Sequence, residues 1–579
     1  MRIDKFAGIA TGGLALLLVC GCGHGARRGA GDVVFVIEAN PANLDPRYAT
    51  DGQSQRIDRL MFQGLVIRDA EMNLHGDLAE RWEMPDAVMY TFHLRRGARF
   101  HDGRAVTAAD VKGTFDFIRN AENKSPKIGA YRMVASIEAP DAETVIFHLK
   151  EPYASFLWNL ERSAAGIVPL GAGRDFGQHP VGSGPFRFVS QTQDEEVVLE
   201  RVESSKLKVE SAKMRRGEEE RVLTEVAEIG TQSSQRNERE ELSSDQESTA
   251  VAKATEDGAR LRFVDLALLP REEHPASEGV PYKSRIVRVT FRVVPDAIVR
   301  ALELRKGSAD VEMSSLSPDM IPVLAKRAEL EISERPGTNF AYLGVNFEDA
   351  VLRKREVRQA LAYATDRESL VNYLLRGEAR LASGILPPNH WAYEGDVRKY
   401  GYDPAAAERL LEAAGMHRGA DGMRARLTLK ISTQESARLL GAALQDQWKK
   451  VGVALEVRPL ETATLFSDLA KGNFQLSYSI WVGANNDPDV FGFVFWSKRF
   501  PPDGANRGHY RNARVDELVS LIQAESDREK RKALCSEVQK IVAEELPYVP
   551  LWYVDVVSAH RKGLEVELAP TGDYDFLTR

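Results

Sequence analysis

Three cysteines in 579 residues are too few to staple a fold together. Cys20 and Cys22 close the only apolar run of note, at the N-terminus, which leaves Cys535 without a disulfide partner. A secreted chain of this size can do without disulfides, because it can bury a large core instead. No internal apolar run reaches the length of a bilayer span. No basic stripe dominates either, and the formal net charge of −8 argues against nucleic acid as a partner. Also missing are Gly-x-Ser-x-Gly, His-Glu-x-x-His and any Cys/His pair at metal-ligand spacing. His93 and His101 are eight residues apart, across a strand and a loop, and read as surface or turn residues rather than a metal pair. We therefore expect no catalytic residue, no metal and no cofactor. At this length one core does not suffice, and at least two lobes are expected.

What is present begins with Arg2 and Lys5 ahead of an apolar core running to Val19, the pattern of a secretory signal over 1–21. Its end, Val19-Cys20-Gly21-Cys22, resembles a bacterial lipobox, which predicts cleavage after Gly21 and a lipid on Cys22. Ordinary signal cleavage nearby, with an unmodified cysteine, is the other reading. Residues 22–31, rich in Gly and Ala, read as a flexible tether.

The stretch 43–119 organises the rest. Leu44-Asp45-Pro46 makes a turn, and Ile57, Leu60 and Met61 then recur at helical spacing. Tyr90, Phe92 and Leu94 alternate with Thr91, His93 and Arg95 as in a half-buried strand. His101, Asp102 and Gly103 turn the chain. Thr107 caps a helix, Asp110 is its capping-box partner, and Val111, Phe115 and Ile118 form the inward stripe. Leu44–Pro46, Leu78–Trp82, Tyr90–Gly103 and Ala108–Val111 together resemble the family 5 extracellular solute-binding proteins, the peptide receptors of ABC importers. Val357-Arg358-Gln359-Ala360 through Asp366-Arg367 resembles a second motif of that family. So does Pro180-Val181-Gly182-Ser183-Gly184-Pro185, whose glycines are expected to supply positive φ in a tight crossover.

The resemblance implies an α/β fold of two lobes, the type II periplasmic-binding-protein-like architecture. Lobe one is expected over 32–340, with an extra subdomain at about 75–175. A charged, low-complexity insertion, at about 203–257, departs from the family pattern and reads as a solvated rim segment or a docking arm. Lobe two is expected over 341–547, and 548–579 returns to lobe one. Smaller expectations follow from periodicity. A helix over 297–305 should bury Ile298, Ala301 and Leu302, and one over 367–375 should bury Leu370, Tyr373 and Leu374. Arg358 is expected to pair with a surface carboxylate, a ligand clamp being the other reading.

Function follows from the same resemblance. A cleft between lobes is a preferred ligand site, and backbone pairing with strand edges gives affinity that does not depend on side-chain identity. The lobe-two wall is expected at 477–489, with Trp481, Val482, Gly483, Ala484, Asn485, Asn486 and Asp487 against the ligand. The lobe-one wall is expected at 50–53, with Asp51, Gly52 and Gln53, and Tyr342 lies at the crossing. Peptide-binding relatives carry an Asp for the ligand's α-ammonium where this chain has Ala484. A buried ammonium lacking a counter-charge costs several kcal/mol. Asp51, Asp487 or Asp489 could replace that anion, or Asn485 and Asn486 could bind a neutral polar solute. The resemblance thus implies a monomeric, lipid-anchored, extracytoplasmic binding protein serving an ABC permease and its cytoplasmic ATPase. Its solute would be a peptide or peptide-like molecule. A non-peptide solute such as a nickel chelate or an oligosaccharide is the alternative, and an extracytoplasmic hydrolase is the remoter one.

Overall fold

The computed structural model describes residues 31–69, 72–162, 165–202, 286–483 and 487–578. Cys22, the tether to residue 30, the insertion at 203–257, and Ala484, Asn485 and Asn486 lie outside the described residues.

Two strands carry the architecture. Leu330–Val345 and Tyr548–Arg561 pair antiparallel along nearly their whole lengths. At about 3.3 Å per residue, a strand of 16 residues spans about 50 Å, enough to belong to two cores at once. They do so. Leu330, Ile332, Val556 and Ala559 pack with lobe-one residues, whereas Ala341, Leu343, Leu551 and Trp552 pack into lobe two. Between these stretches the register slips, so that Arg335 faces Val556 but Asn339 already faces Val554. Gly337 occupies the slip, where an added Cβ would sit 2.0 Å from the Val554 carbonyl oxygen.

On the lobe-two side the sheet continues through Leu476–Trp481, Ala425–Ser432 and Val453–Leu460. On the lobe-one side it continues through Val311–Met313, Asp32–Ile37, Arg288–Val293, Glu196–Arg201 and Phe186–Thr192. The parallel pairs Asp32–Ile37 with Arg288–Val293, and Ala425–Ser432 with Val453–Leu460, need long crossovers. Helix Glu435–Lys450 supplies the second of these, burying Leu440, Leu444 and Trp448. A separate four-stranded antiparallel sheet (79–86, 89–94, 144–149, 134–138) forms the subdomain, packed under helix Ala108–Arg119. The Thr107–Asp110 capping box and the buried Val111, Phe115 and Ile118 are present as expected.

Four local expectations need correction. Helix Ala297–Lys306 leaves Ile298 57 % and Leu302 45 % exposed and buries Arg300, Ala301 and Leu304. The Arg300 guanidinium donates to the carbonyls of Val294, Pro295 and Ser315, and these contacts turn the helix about its axis. The 367–375 helix shortens to Arg367–Ser369 and then widens over Leu370–Leu374, which throws Tyr373 into solvent at 76 % exposure. Among the described residues Arg358 has no carboxylate at ion-pair distance; it donates to the carbonyls of Leu352, Arg353 and Glu545, with Phe347 against its face. Finally, Gly182 and Gly184 do not have positive φ. They are glycine because Met61 and Leu60 lie too close: a Cβ would stand 1.9 Å and 2.6 Å from those carbonyl oxygens. His101 fixes the same turn, accepting from Gly182 N–H at Nδ1 and reaching the Gly184 carbonyl through Nε2.

Candidate functional site

Strand Leu476–Trp481 pairs antiparallel with the crossing strand, placing Trp481 opposite Phe340 and Ser479 opposite Tyr342, next to the register slip. Side chains two apart on a strand share a face, so Phe340, Tyr342, Ser479 and Trp481 stand on one surface of the sheet. The rings of Phe340 and Tyr342 are stacked with centroids 5.4 Å apart, and Tyr342 and Trp481 are stacked at 6.3 Å. Tyr548 closes on Tyr342 at 4.1 Å, and Phe493 meets Trp481 edge-on. Burial pushes the Tyr342 phenol pKa up, with the Arg507 guanidinium pulling the other way, and pushes Tyr548 further. Arg507 lies over the Trp481 ring at 5.6 Å and the Phe466 ring at 5.1 Å. In this packed aromatic setting, Ser479 Oγ and the Trp481 indole Nε1 are buried and make no well-formed hydrogen bond, although the Tyr342 phenol approaches Ser479 and Arg507 and the Tyr548 phenol approaches Trp481. Val482 and Gly483 continue from the strand, Val482 exposed and Gly483 with φ +64°.

Asp487 belongs to a separate polar cluster. Its carboxylate is gripped by Arg531, with Nη2 to Oδ1 at 2.5 Å and Nη1 to Oδ2 at 2.9 Å. Ser155 Oγ, from the lobe-one subdomain, donates to Asp487 Oδ1 and accepts from Arg531 Nη2. Burial opposes ionisation of Asp487, but Arg531 and Ser155 outweigh it and hold the carboxyl below its ordinary range. One turn on, Asp489 accepts from the Tyr153 hydroxyl and from Gln523 Nε2, while Ala154 N–H donates to the Gln523 carbonyl. The segment 153–155 and the Asp487–Asp489 turn therefore join subdomain to lobe two. Asp487 and Asp489, both offered by the sequence for a ligand ammonium, thus each have internal partners.

Asp51 is likewise committed. It is the N-cap of helix Gly52–Met61, accepting from Ser54 N–H and Ser54 Oγ. Gly52 is exposed at the first helical position. Gln53 is buried, donating to Glu38 and accepting from the Tyr574 hydroxyl. Among the described residues no hydrogen bond, ion pair or ring contact joins Asp51, Gly52 or Gln53 to Tyr342 or Trp481. Among them, too, no group of three His, Cys, Asp or Glu side chains could hold a metal ion.

Sequence reasoning placed Tyr342 and Trp481 in one site but missed Arg507, which reaches it from a loop remote in sequence. It also passed over Ser479, although that residue lies in the quoted wall.

Comparison with known proteins places this geometry. The family described as bacterial extracellular solute-binding proteins, family 5, matches residues 73–214 and 280–501. The Glutathione-binding protein GsiB of Salmonella choleraesuis is 27 % identical over 546 residues, covering 92 % of this chain and 91 % of its own. That of Shigella boydii serotype 4 is 26 % identical over 570 residues, covering 96 % and 95 %. Among solved structures, NikZ from Campylobacter jejuni in complex with Ni(L-His) superposes with a TM-score of 0.72 at 22 % identity, covering 94 % of this chain and 98 % of that one. AppA from Bacillus subtilis in complex with a nonapeptide gives 0.71 at 22 %, covering 95 % and 98 %. These structures share the two-lobed α/β fold. No helix among the described residues is long and apolar enough to cross a membrane. The match over more than half the sequence, with the crossing-strand architecture that carries it, makes this chain a member of the family 5 bacterial extracellular solute-binding proteins.

Proposed function

We propose that this protein is the solute-capturing component of an ABC importer, and that it takes a peptide or peptide-like molecule between its lobes. The observation that carries the reading is the aromatic shelf of Tyr342 and Trp481 beside the crossing strands, with buried Ser479 Oγ and Trp481 Nε1 unpaired. An unpaired buried polar group is costly, so such atoms mark where a ligand's own groups belong. GsiB relatives are named for glutathione, itself a peptide, and AppA was solved with a nonapeptide, which supports the class of solute. NikZ holds a nickel–histidine complex, so the same fold also serves a non-peptide. No relative named above is a hydrolase.

Mechanistically, a ligand that touches both lobes favours the arrangement in which they meet, by the difference in its affinity for the two states. Delivery to a permease needs no covalent step. A lipid on Cys22, supported by the Val19–Cys22 sequence, would hold a monomer at the membrane surface outside the cytoplasm. One experiment addresses these points together. The Cys22→Ala chain is expected in the soluble fraction, where calorimetric titration with di- and tripeptides gives saturable binding and no cleavage products. Adding Trp481→Ala is expected to weaken that binding at least about tenfold, the order of effect of a buried aromatic anchor. Continued membrane pelleting would remove the lipid. Peptide turnover, or an unchanged affinity without Trp481, would remove the site.

A further inference from the structure

Not every charge around the aromatic shelf has an internal partner. The acids that the sequence offers for a ligand's ammonium do: Asp51 caps a helix, Asp487 is bound to Arg531, and Asp489 is held by Tyr153 and Gln523. One cation is differently placed. Arg507 rests on the faces of Trp481 and Phe466, and among the described residues no carboxylate lies within ion-pair distance of it. Its neighbours are donors. Ser479, only 9 % exposed, and the Trp481 indole N–H make no well-formed hydrogen bond; the Tyr342 phenol approaches Ser479 and Arg507, the Tyr548 phenol approaches Trp481, and both phenols lie within the field of the guanidinium. Indole nitrogen and guanidinium can only donate, and hydroxyls can donate as readily as accept. A group of donors around an arginine, with no anion supplied by the described residues, is complementary to a carboxylate. The planar guanidinium fork matches that group in geometry and charge. It is a poor place for an ammonium, which would meet like charge.

We propose that Arg507 is the specificity-determining residue of the solute site, binding a carboxylate of the solute together with Ser479 Oγ and Trp481 Nε1. The solute is then an acidic peptide-like molecule, anchored by its negative end and not by a free amino group. This rests on the peptide reading above and narrows it.

The test uses the purified Cys22→Ala chain and three probes of similar size: glutathione, its dimethyl ester, and trilysine. Glutathione is expected to bind at least tenfold more tightly than its ester, with trilysine weakest. Arg507→Gln is expected to weaken glutathione about tenfold or more, the range of a charge-assisted hydrogen bond, and to leave the ester unchanged. Arg507→Lys is expected to restore part of the loss. An unaltered thermal midpoint for both variants separates lost recognition from lost folding; Arg507 is only half-buried, so this is the expected result. Equal affinity of wild type and Arg507→Gln for glutathione would overturn the assignment. So would tighter binding of trilysine or the ester, although the peptide reading would then survive. Failure of all three probes, and of the wider peptide set, would instead sink the peptide reading and this inference with it.

Discussion

Two polar clusters in lobe two contrast sharply although both involve the chain just after strand Leu476–Trp481. Around Asp487 every strong donor and acceptor is used: carboxylate, guanidinium and hydroxyl satisfy one another across the junction with the subdomain. Around Trp481 the polar atoms are equally hidden, but two lack partners and a cation lacks an anion among the described residues. Burial alone therefore does not separate scaffold from site. The difference is satisfaction. A network complete within the protein holds parts together, whereas an incomplete one is built for something that arrives.

The comparison breaks most visibly at the complete cluster. Asp487→Ala leaves Arg531 buried and unpaired, with side-chain exposures in the intact pair of 8 % and 7 %. A loss of about 3–5 kcal/mol is expected, read as an earlier urea midpoint; a change within error would mean that the pair is dispensable. At the incomplete cluster the expectation is reversed. Ser479→Ala removes a hydroxyl that makes no well-formed hydrogen bond, so stability should stay within about 0.5 kcal/mol of wild type, while affinity for an acidic peptide drops several-fold. A large destabilisation would show that the hydroxyl was structural.

A third, smaller effect concerns the crossing itself. Burial pushes the Glu312 carboxyl up to about 7, against the Ser315 hydroxyl and Arg300, which pull it down. Glu378 is likewise raised to about 7 and Asp555 to about 6, both first through burial, with neighbouring Glu334 adding to each. These groups bind protons more tightly folded than unfolded. Their contribution is most favourable below the ordinary carboxylate value of about 4.3 and declines as pH rises towards 7. Glu312→Gln should therefore raise the melting temperature at pH 8 and have little effect at pH 5. Melting curves with the opposite pH trend would contradict the assignment.

How much of this was legible in sequence depended on how local the determinant was. The Thr107–Asp110 box, the alternation at Tyr90, Phe92 and Leu94, and the stripe at Ile57, Leu60 and Met61 each need only a few neighbouring residues, and each appears as read. Helix Ala297–Lys306 was misread because an arginine found three carbonyls inside, which no apolar count registers. Gly182 and Gly184 were placed in the correct turn for the wrong reason, since the crowding comes from Leu60 and Met61, far earlier in the chain. Trp481 could be singled out because family register points to it. Arg507 could not, because it comes from an irregular loop and acquires its meaning only where it lies across an indole.

By itself the sequence determined the family, the two-lobed α/β class and the buried faces of helices Gly52–Met61 and Ala108–Arg119, because periodicity and short motifs act through near neighbours. Only the tertiary structure decided which of these charges have partners within the protein. Asp51, Asp487 and Asp489 are alike as carboxylates, but folding commits each to an internal partner and brings Arg507 to unpaired donors. That sorting depends on distances between parts of the chain that sequence order does not encode.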